Sequence, residues 1–200
     1  MLERLLQNRL LPFALRRGLI PRGQFGFLAD VGAADAQGLA SHLADSASAQ
    51  GLRTFRVFID LTKAYDKVDR EALWVIMGNA GVPPLFLALV KDLHTGAMAT
   101  IKQGATLSTP FLLQRGLKQG SVFAPLLFNI FLGAVLHSCE SQYKLNPALG
   151  VQFQWRPQAR VHHPEPDLMP WQKGFLPVHL SYIAYADDLV LMARSGHSKP

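Results

Sequence analysis

The pattern of apolar and polar positions along the first 60 residues predicts two helices and a strand. Apolar residues recur at helical spacing over residues 1–20, and a mixed helix is predicted over Ala33–Ala49, ending at Gly51. The β-rich run Thr54–Ile59 predicts a strand that leads directly into Asp60. The stretch between the two helices is predicted to be a loop because it contains three glycines: Gly23, Gly26 and Gly32.

The middle of the chain predicts two more helices, each with a typical first residue. Asp69 favours a helix N-cap, because its side chain can accept a bond from the first turn, and this helix is expected to reach Asn79. The pair Pro83 and Pro84 is typical of a helix start, since proline lacks an N–H that the first turn would leave unpaired. That helix is expected to end near His94.

The second half of the chain predicts paired strands, a core helix and an irregular segment. Segments 99–102 and 111–114 are expected to pair around a glycine turn. The apolar run Val122–Leu136 predicts a core helix and no membrane span, since crossing a bilayer takes about 20 residues. Six prolines interrupt residues 140–177, so an irregular segment with one short strand is expected there. That strand is predicted over Gly150–Trp155.

Composition and charge narrow the kind of partner. Apolar residues make up 49% of the chain and charged residues 17%, as expected for a core-forming piece of a larger protein. The net charge is +6 and the pI about 9.7. Five arginines lie in the first 22 residues with only Glu3 against them: Arg4, Arg9, Arg16, Arg17 and Arg22. A basic face of this kind suits a polyanion such as nucleic acid, although a solvated helix surface explains it equally well.

The single cysteine and the N-terminal sequence bear on the compartment. Cys139 has no partner in the chain for a disulfide, which fits a reducing environment. The first residues lack the order of a signal peptide, because Glu3 and arginines interrupt the apolar positions. An intracellular protein is expected, with no basis for choosing between nucleus and cytoplasm.

Two adjacent carboxylates, Asp187 and Asp188, lie between the apolar runs Val178–Tyr185 and Leu189–Arg194. This pattern predicts a β-hairpin with the acidic pair at its turn. An ordinary turn is the simpler interpretation of the dipeptide alone, because aspartate favours turns. Two ionised neighbours repel each other, however, and a divalent cation such as Mg²⁺ would remove that cost.

Asp60 supplies a second acidic position at the end of a predicted strand. If that strand joins the sheet of the hairpin, three carboxylates meet at one edge and can hold two metal ions about 4 Å apart, an arrangement that promotes in-line attack at phosphorus. We therefore predict that the side chains of Asp60 and Asp187 lie within about 6 Å of each other. A strand-end cap is the alternative explanation for Asp60.

Three motifs in order resemble reverse transcriptases, in the form used by non-LTR (LINE-like) retrotransposons and group II introns. Tyr185-Ala-Asp-Asp188 resembles their Tyr-X-Asp-Asp box, and Phe58-Ile-Asp-Leu-Thr-Lys-Ala-Tyr-Asp66 resembles their first palm motif. Arg115-Gly-Leu-Lys-Gln-Gly-Ser-Val-Phe-Ala-Pro-Leu-Leu-Phe-Asn129 is similar to the motif between them. Upstream, Gln24-Phe-Gly-Phe27 resembles a fingers segment of the same elements. The resemblance runs from about residue 9 to residue 194.

The resemblance implies an RNA-directed DNA polymerase domain with two Mg²⁺ or Mn²⁺ ions. The metal and catalytic positions are Asp60, Asp187 and Asp188, of which Asp188 is the least strictly required. The nucleotide-binding positions are Lys63, Ala64 and Tyr65, through their backbone N–H groups, together with Gln119 and Gly120. The ring of Tyr65 would lie beneath the sugar and favour deoxynucleotides. Nucleic-acid contacts are expected from three arginines: Arg16, Arg17 and Arg22.

The resemblance also implies a fold and partners. The fold class is α+β, the fingers and palm of a right-hand polymerase, with an antiparallel palm sheet flanked by helices and no thumb. Residues 1–53 would form part of the fingers, and residues 54–200 the palm with fingers elements and an irregular segment at 140–177. The partners are an RNA template, a DNA primer and deoxynucleoside triphosphates, with no membrane; the rest of a larger retroelement polyprotein is expected to be missing.

Departures from the family pattern leave alternatives open. Leu28, Ala29 and Asp30 stand where an Arg near the triphosphate is usual, and Ser121-Val-Phe-Ala-Pro125 replaces the usual helix entry. A catalytically inactive remnant that at most binds nucleic acid or a partner protein is therefore the second hypothesis. A viral RNA-dependent RNA polymerase is disfavoured by Tyr65 and Ala186, and a two-metal nuclease has no feature of its own here.

Overall fold

The computed structural model describes residues 1–49, 51, 53–144, 151–155, 176–180 and 182–194. The helices are α1 (Leu2–Arg16), α2 (Ala33–Ala49), α3 (Arg70–Asn79), α4 (Pro84–Asp92) and α5 (Ala124–Lys144), with a 3₁₀ helix at Tyr65–Lys67. The strands are β1 (Thr54–Asp60), β2 (Met98–Ala99), β3 (Lys102–Gln103), β4 (Thr106–Leu107), β5 (Phe111–Leu112), β6 (Val151–Trp155), β7 (Leu176–Leu180), β8 (Tyr182–Tyr185) and β9 (Asp188–Arg194).

The chain forms two compact units, and each combines segments that are distant in sequence. Unit 1 contains Met1–Ile20 and Leu61–Val135, and unit 2 contains Pro21–Asp60 and Leu136–Pro200. All pairs of named strands among the described residues are antiparallel, so the expected mixture of helices and antiparallel sheet is confirmed.

The helices of unit 1 begin and end where local chemistry allows. Asp69 caps α3 as predicted, because its side chain accepts a hydrogen bond of 3.1 Å from the Ala72 N–H. Helix α1 ends before residue 20, since the Leu19 N–H turns back to the Ala14 carbonyl at 2.9 Å. The buried side chains of the unit come from α1, α3, α4, the first part of α5 and the residue before it, and include Leu6, Leu10, Leu73, Met77, Val90, Phe123, Leu127 and Ile130.

Arg70, in the first turn of α3, ties three segments of unit 1 together. Its guanidinium donates hydrogen bonds to the carbonyl oxygens of Gly116 at 2.7 Å, His94 at 2.9 Å and Leu113 at 2.9 Å. A longer bond of 3.4 Å reaches the Arg115 carbonyl. Burial lowers the pKa of Arg70. Its bonds to Leu113, Arg115 and Gly116 hold the stretch of chain that leads to Gln119 and Gly120, two of the predicted nucleotide-binding residues.

Gly116 shows how closely that segment approaches the chain before α3. Its N–H donates to the Val68 carbonyl at 2.9 Å, and its φ is +83°. A Cβ at this position would lie 2.6 Å from the Asp66 carbonyl oxygen, which is backbone and has no room to move aside. Both the left-handed conformation and the close approach therefore require glycine.

His94 is a buried histidine whose protonation should weaken unit 1. Its ring lies edge-on to Trp74 with 5.5 Å between centroids, and its Nδ1 is 2.8 Å from the Val90 carbonyl. Burial lowers the pKa of His94 below its ordinary value of 6.5, against the opposing effect of the Val90 bond. Protons therefore bind the unfolded chain more tightly than the folded one.

We expect the contribution of His94 to the free energy of unfolding to be fully present above about pH 6.5 and to be lost as the pH falls below that value, because His94 must then be protonated against its burial. Urea denaturation at about pH 7.5 and about pH 5.5 measures this difference. His94→Phe keeps a ring beside Trp74 and removes the titrating group. Its free energy of unfolding should therefore fall less on acidification than that of the wild type. An equal loss in the two proteins would contradict the prediction.

The main sheet of unit 2 has the strand order β1–β9–β8. Helix α2 packs on this sheet and buries one cluster of apolar side chains against it. The buried members are Ala36, Leu43, Ile183 and Met192, and the partly buried Phe25, Leu39, Ala40 and Val190 pack against them. Ile183 of β8 lies opposite Val190 of β9 in the register, so both side chains point to the face of the sheet that carries this cluster.

Residues 23–26 run parallel to β8 and extend the sheet of unit 2. The Ala184 N–H donates to the Gly23 carbonyl at 2.7 Å, and the Phe25 N–H donates to the Ala184 carbonyl at 2.8 Å. These bonds bring a predicted loop, the segment with the fingers-like motif, against the strand that leads to the acidic pair.

Two elements in the second half of the chain differ in extent from the prediction. Helix α5 continues to Lys144, past the predicted end at Leu136, because the polar residues that follow are neither glycine nor proline. The predicted strand Val178–Tyr185 is two strands, β7 and β8, and β7 starts inside the segment expected to hold one strand only. Strand β7 pairs with β6, and β6 confirms the short strand predicted over Gly150–Trp155.

The predicted pair 99–102 with 111–114 also differs from the structure. Strand β2 pairs with β5, as expected, but only over two residues on each side. The turn at Gly104 belongs to a separate small hairpin, β3–β4. In the part of the chain that the structure describes, no helix is both long and apolar enough for a bilayer crossing.

Candidate active site

The acidic pair lies on the predicted hairpin, at and just after its turn. Strands β8 and β9 are joined by a two-residue turn, Ala186 and Asp187, with Tyr185 opposite Asp188 in the register. Ala186 has φ +56°, a conformation that a residue with a Cβ adopts at a cost of about 1–2 kcal/mol. The hairpin prediction is confirmed.

Strand β1 brings the third carboxylate to the same end of the sheet. The antiparallel register of β1 and β9 places Asp60 directly opposite Asp188. Directly opposite residues point to the same face of a sheet, with their Cβ atoms about 4.5–5.5 Å apart, and like charges in this arrangement are destabilising. Both side chains are exposed, so the repulsion is softened by water and open to neutralisation by a cation from solvent.

Asp187 is half-buried and precedes Asp188 in the turn. Its proximity to Asp60 stays a prediction, since the register pairs Asp60 with Asp188. Within the described ranges, no three histidine, cysteine, aspartate or glutamate side chains converge closely enough to enclose a metal ion. The chemistry of the donors nevertheless fits Mg²⁺ or Mn²⁺, because carboxylate oxygens are their preferred ligands and two of the three lie opposite each other.

Two of the predicted nucleotide-binding residues lie in one neighbourhood of unit 1. The Tyr65 ring stacks on the buried Phe128 ring, with 4.8 Å between centroids and 19° between planes. The backbone carbonyl of Tyr65 accepts a hydrogen bond of 2.8 Å from the Leu117 N–H. Gln119 donates from Nε2 to the Asp66 carboxylate at 3.0 Å. The segment before α5 is thereby held against the segment that follows β1.

The other three predicted nucleotide-binding residues lie in turns. Lys63 has φ +54°, and the Ala64 N–H donates to the Leu61 carbonyl at 3.2 Å, so that donor is engaged within the protein. Gly120 has φ +81°, and a Cβ there would meet no atom within 4 Å. The positive φ explains why this residue is glycine, and no nearby protein backbone adds a second reason. Nucleotide binding by these residues stays a prediction.

The three arginines predicted to contact nucleic acid are all exposed. Arg16 and Arg17 lie at the end of α1 in unit 1, and the Arg17 guanidinium is 5.7 Å from the centre of the Phe13 ring. Arg22 lies in unit 2. Exposed cations at these positions are compatible with phosphate contacts, and their role stays a prediction.

Sequence analysis missed a buried contact behind the acidic turn. The side-chain amide of Gln24, only 2% exposed, brackets the backbone of Ala186: its Oε1 accepts from the Ala186 N–H at 2.9 Å, and its Nε2 donates to the Ala186 carbonyl at 3.2 Å. The Gly26 N–H donates to the same Oε1 at 2.7 Å. Gln24 is the first residue of the segment that resembles a fingers motif, but no local signal connects it with a turn 162 residues away.

Comparisons with known proteins show which family this chain resembles. The family model for reverse transcriptase (RNA-dependent DNA polymerase) matches residues 1–199. The RNA-directed DNA polymerase from mobile element jockey of Drosophila funebris is 30% identical over 131 residues, which cover 66% of this chain and 14% of that protein. The Retrovirus-related Pol polyprotein from type-2 retrotransposable element R2DM of Drosophila melanogaster is 26% identical over 84 residues, 42% of this chain and 8% of that protein.

A third relative, the probable RNA-directed DNA polymerase from transposon BS of Drosophila melanogaster, is 27% identical over 130 residues, 64% of this chain and 14% of that protein. The chain thus spans between 8% and 14% of the length of these curated relatives. Members of the matched family generally depend on divalent metal ions. The resemblance seen in the motifs is confirmed, and the chain belongs to the reverse transcriptase (RNA-dependent DNA polymerase) family.

Proposed function

We propose that this chain is the RNA-directed DNA polymerase domain of a retrotransposon and adds deoxynucleotides to the 3′ end of a primer. The observation that carries the proposal is the β1–β9 register, which sets Asp60 opposite Asp188 with Asp187 in the adjoining turn. The matched relatives carry the names of mobile-element polymerases, which supports a retrotransposon origin.

Asp60, Asp187 and Asp188 would hold two Mg²⁺ or Mn²⁺ ions. When bound, such ions neutralise charge at the phosphate under attack and at the leaving oxygen. The chain contributes a rigid platform, because Asp60 ends one strand and Asp188 begins its neighbour in a hydrogen-bonded sheet. Antiparallel pairing fixes the spacing of the Cα and Cβ atoms of these two residues before any ligand arrives, which lowers the cost of assembling the site.

The incoming deoxynucleotide would bind along the segment that follows β1. Lys63, Ala64 and Tyr65 would face its triphosphate with backbone N–H groups, for which the Ala64 N–H would exchange its bond to the Leu61 carbonyl for one to the phosphate. Gln119 and Gly120 would line the pocket. Stacking on Phe128 supports a fixed position for the Tyr65 ring, which would then exclude a 2′-hydroxyl by contact.

Tyr65→Ala should raise the use of ribonucleotides relative to deoxynucleotides by about 10- to 100-fold, the discrimination that one steric contact provides. The measurement is the ratio of kcat/KM for dTTP and UTP in primer extension on poly(rA). Tyr65→Phe keeps the ring and its stacking on Phe128, so its ratio should match the wild-type ratio. An unchanged ratio in Tyr65→Ala would remove the proposed role.

The assignment to right-hand polymerase parts follows from the same proposal. Residues 1–53 would contribute to the fingers, and residues 54–200 would form the palm with fingers elements; β1, β8 and β9 would be the palm strands. The RNA template and DNA primer would bind through backbone phosphates, with Arg16, Arg17 and Arg22 among the contacts, so binding should weaken with salt.

The test is extension of oligo(dT) on poly(rA) with dTTP and either Mg²⁺ or Mn²⁺, followed as a product ladder. We expect products that disappear when the metal is chelated. Binding of the primer–template by folded protein without any product, in either metal, would instead favour the inactive remnant. That alternative rests on Leu28, Ala29 and Asp30, which stand where the family usually carries an arginine.

A further inference from the structure

We propose that Gln24 is a positioning residue that sets the orientation of Asp187 through the backbone of Ala186. This inference deepens the proposed function, because it concerns the same acidic turn. Gln24 makes two hydrogen bonds to Ala186, one to its N–H and one to its carbonyl oxygen. The N–H belongs to the peptide group before Ala186, and the carbonyl to the peptide group that continues into Asp187.

Holding both peptide groups leaves little freedom at the residue between them. The planarity of each peptide means that the two bonds restrain φ and ψ of Ala186 together. These angles set where the N and Cα atoms of Asp187 lie, and the pairing of Asp188 with Asp60 and Tyr185 holds the chain on the other side of that residue. Together they set the direction in which the Asp187 Cα–Cβ bond leaves the turn. Gln24 is thus able to orient a carboxylate that it does not touch.

The turn needs such support for two physical reasons. Ala186 has φ +56°, which an alanine adopts only when its surroundings impose it. Ala186 is also buried, with 6% of its surface exposed, so water does not satisfy its N–H and carbonyl groups. A buried amide side chain, with one acceptor and one donor at the right spacing, meets both needs.

The Gln24 side chain is itself fixed by its surroundings. Its Oε1 accepts a second bond from the Gly26 N–H at 2.7 Å, and residues 23 and 25 are hydrogen-bonded to Ala184 of β8. A Cβ at Gly26 would lie 2.3 Å from the Ala186 nitrogen, so this segment lies directly against the turn. The Gly26 bond therefore anchors the amide independently of the turn that the amide contacts.

The test compares Gln24→Met with the matched control Gln37→Met. Methionine has nearly the length of glutamine and lacks both polar atoms, and Gln37 is exposed on α2 in the same unit. We expect Gln24→Met to lower kcat of primer extension about 10- to 100-fold, as loss of a residue that orients a metal ligand typically does, with KM for dTTP nearly unchanged. Gln37→Met should behave as wild type.

Hydrogen exchange at the Ala186 amide supplies a readout that needs no polymerase activity. We expect this amide to exchange faster in Gln24→Met, while the amides of the β1–β9 ladder exchange as in wild type. Faster exchange throughout unit 2 would mean that Gln24 only stabilises the fold, and unchanged exchange at Ala186 would mean that it does not hold the turn. Either result overturns the proposal.

A second variant keeps the proposal testable if Gln24→Met does not fold. Gln24→Glu retains the oxygen that accepts from Gly26 and Ala186 and replaces the donor to the Ala186 carbonyl. It should protect the Ala186 amide and still slow extension; a wild-type extension rate would overturn the proposal. If wild-type protein extends no primer, the proposed function fails, whereas the exchange experiment still decides whether Gln24 holds the turn.

Discussion

Asp187→Asn is expected to reduce the single-turnover rate of primer extension about a thousandfold. The substitution keeps the shape of the side chain and removes the charge that would bind a metal ion. Metal ions contribute several kcal/mol to stabilising the charge that develops in phosphoryl transfer, and each 1.4 kcal/mol is a factor of ten in rate. Rapid quench on poly(rA)/oligo(dT) with saturating dTTP measures the rate without product release.

Asp45→Asn is the matched control for this loss, because Asp45 is an exposed aspartate on α2 in the same unit. It should leave the extension rate unchanged, as a surface substitution away from the site normally does. Circular dichroism of both variants should match wild type, since the Asp187 side chain lies at a turn. A folded Asp187→Asn protein that extends primers at the wild-type rate would refute the assignment of the acidic turn as the catalytic centre.

Arg70→Ala is expected to lower the free energy of unfolding of the cooperative unit containing α3 by about 3–4 kcal/mol. The substitution leaves three carbonyl oxygens from Gly116, His94 and Leu113 without the cation that they share. Hydrogen bonds to charged groups are worth more than neutral ones, and half-buried carbonyls do not recover a full set of water partners. Urea denaturation monitored by tryptophan fluorescence measures the change, since Trp74 lies in α3.

Two variants separate this effect from a general loss of charge. Arg9→Ala removes an exposed arginine from α1 in the same unit and should change stability by less than about 0.5 kcal/mol. Arg70→Lys keeps the charge but not the planar group that reaches several carbonyls at once, so it should fall between wild type and Arg70→Ala. Equal stability of Arg70→Ala and Arg9→Ala would contradict the role given to Arg70.

Features set by local chemistry were predictable from sequence. The Asp69 cap and the limits of α2 follow from residues within one or two helical turns. The hairpin around Asp187 follows from two apolar runs with acids between them. The meeting of Asp60 with Asp188 was predictable in outline, because two apolar strands that both deliver carboxylates tend to share a sheet.

Features set by distant parts of the chain were not predictable in the same way. Arg70 stands in the first turn of α3, where the helix dipole disfavours a cation, and only the carbonyls of remote segments explain it. Gln24 resembled an ordinary loop glutamine, although it contacts a turn 162 residues further on. The pairing of β6 with β7 likewise joins segments between which the prolines erase any period.

The claim that these three carboxylates hold the catalytic metal is tested by mapping where bound Fe²⁺ cuts the polypeptide. Fe²⁺ can replace Mg²⁺ at oxygen ligands, and with peroxide and ascorbate it generates radicals that cleave nearby backbone. The proposal predicts cuts near both Asp60 and Asp187, suppressed by excess Mg²⁺ and lost in the double variant Asp60→Asn with Asp187→Asn. Cuts confined to other segments, or a pattern unchanged in the double variant, would contradict it.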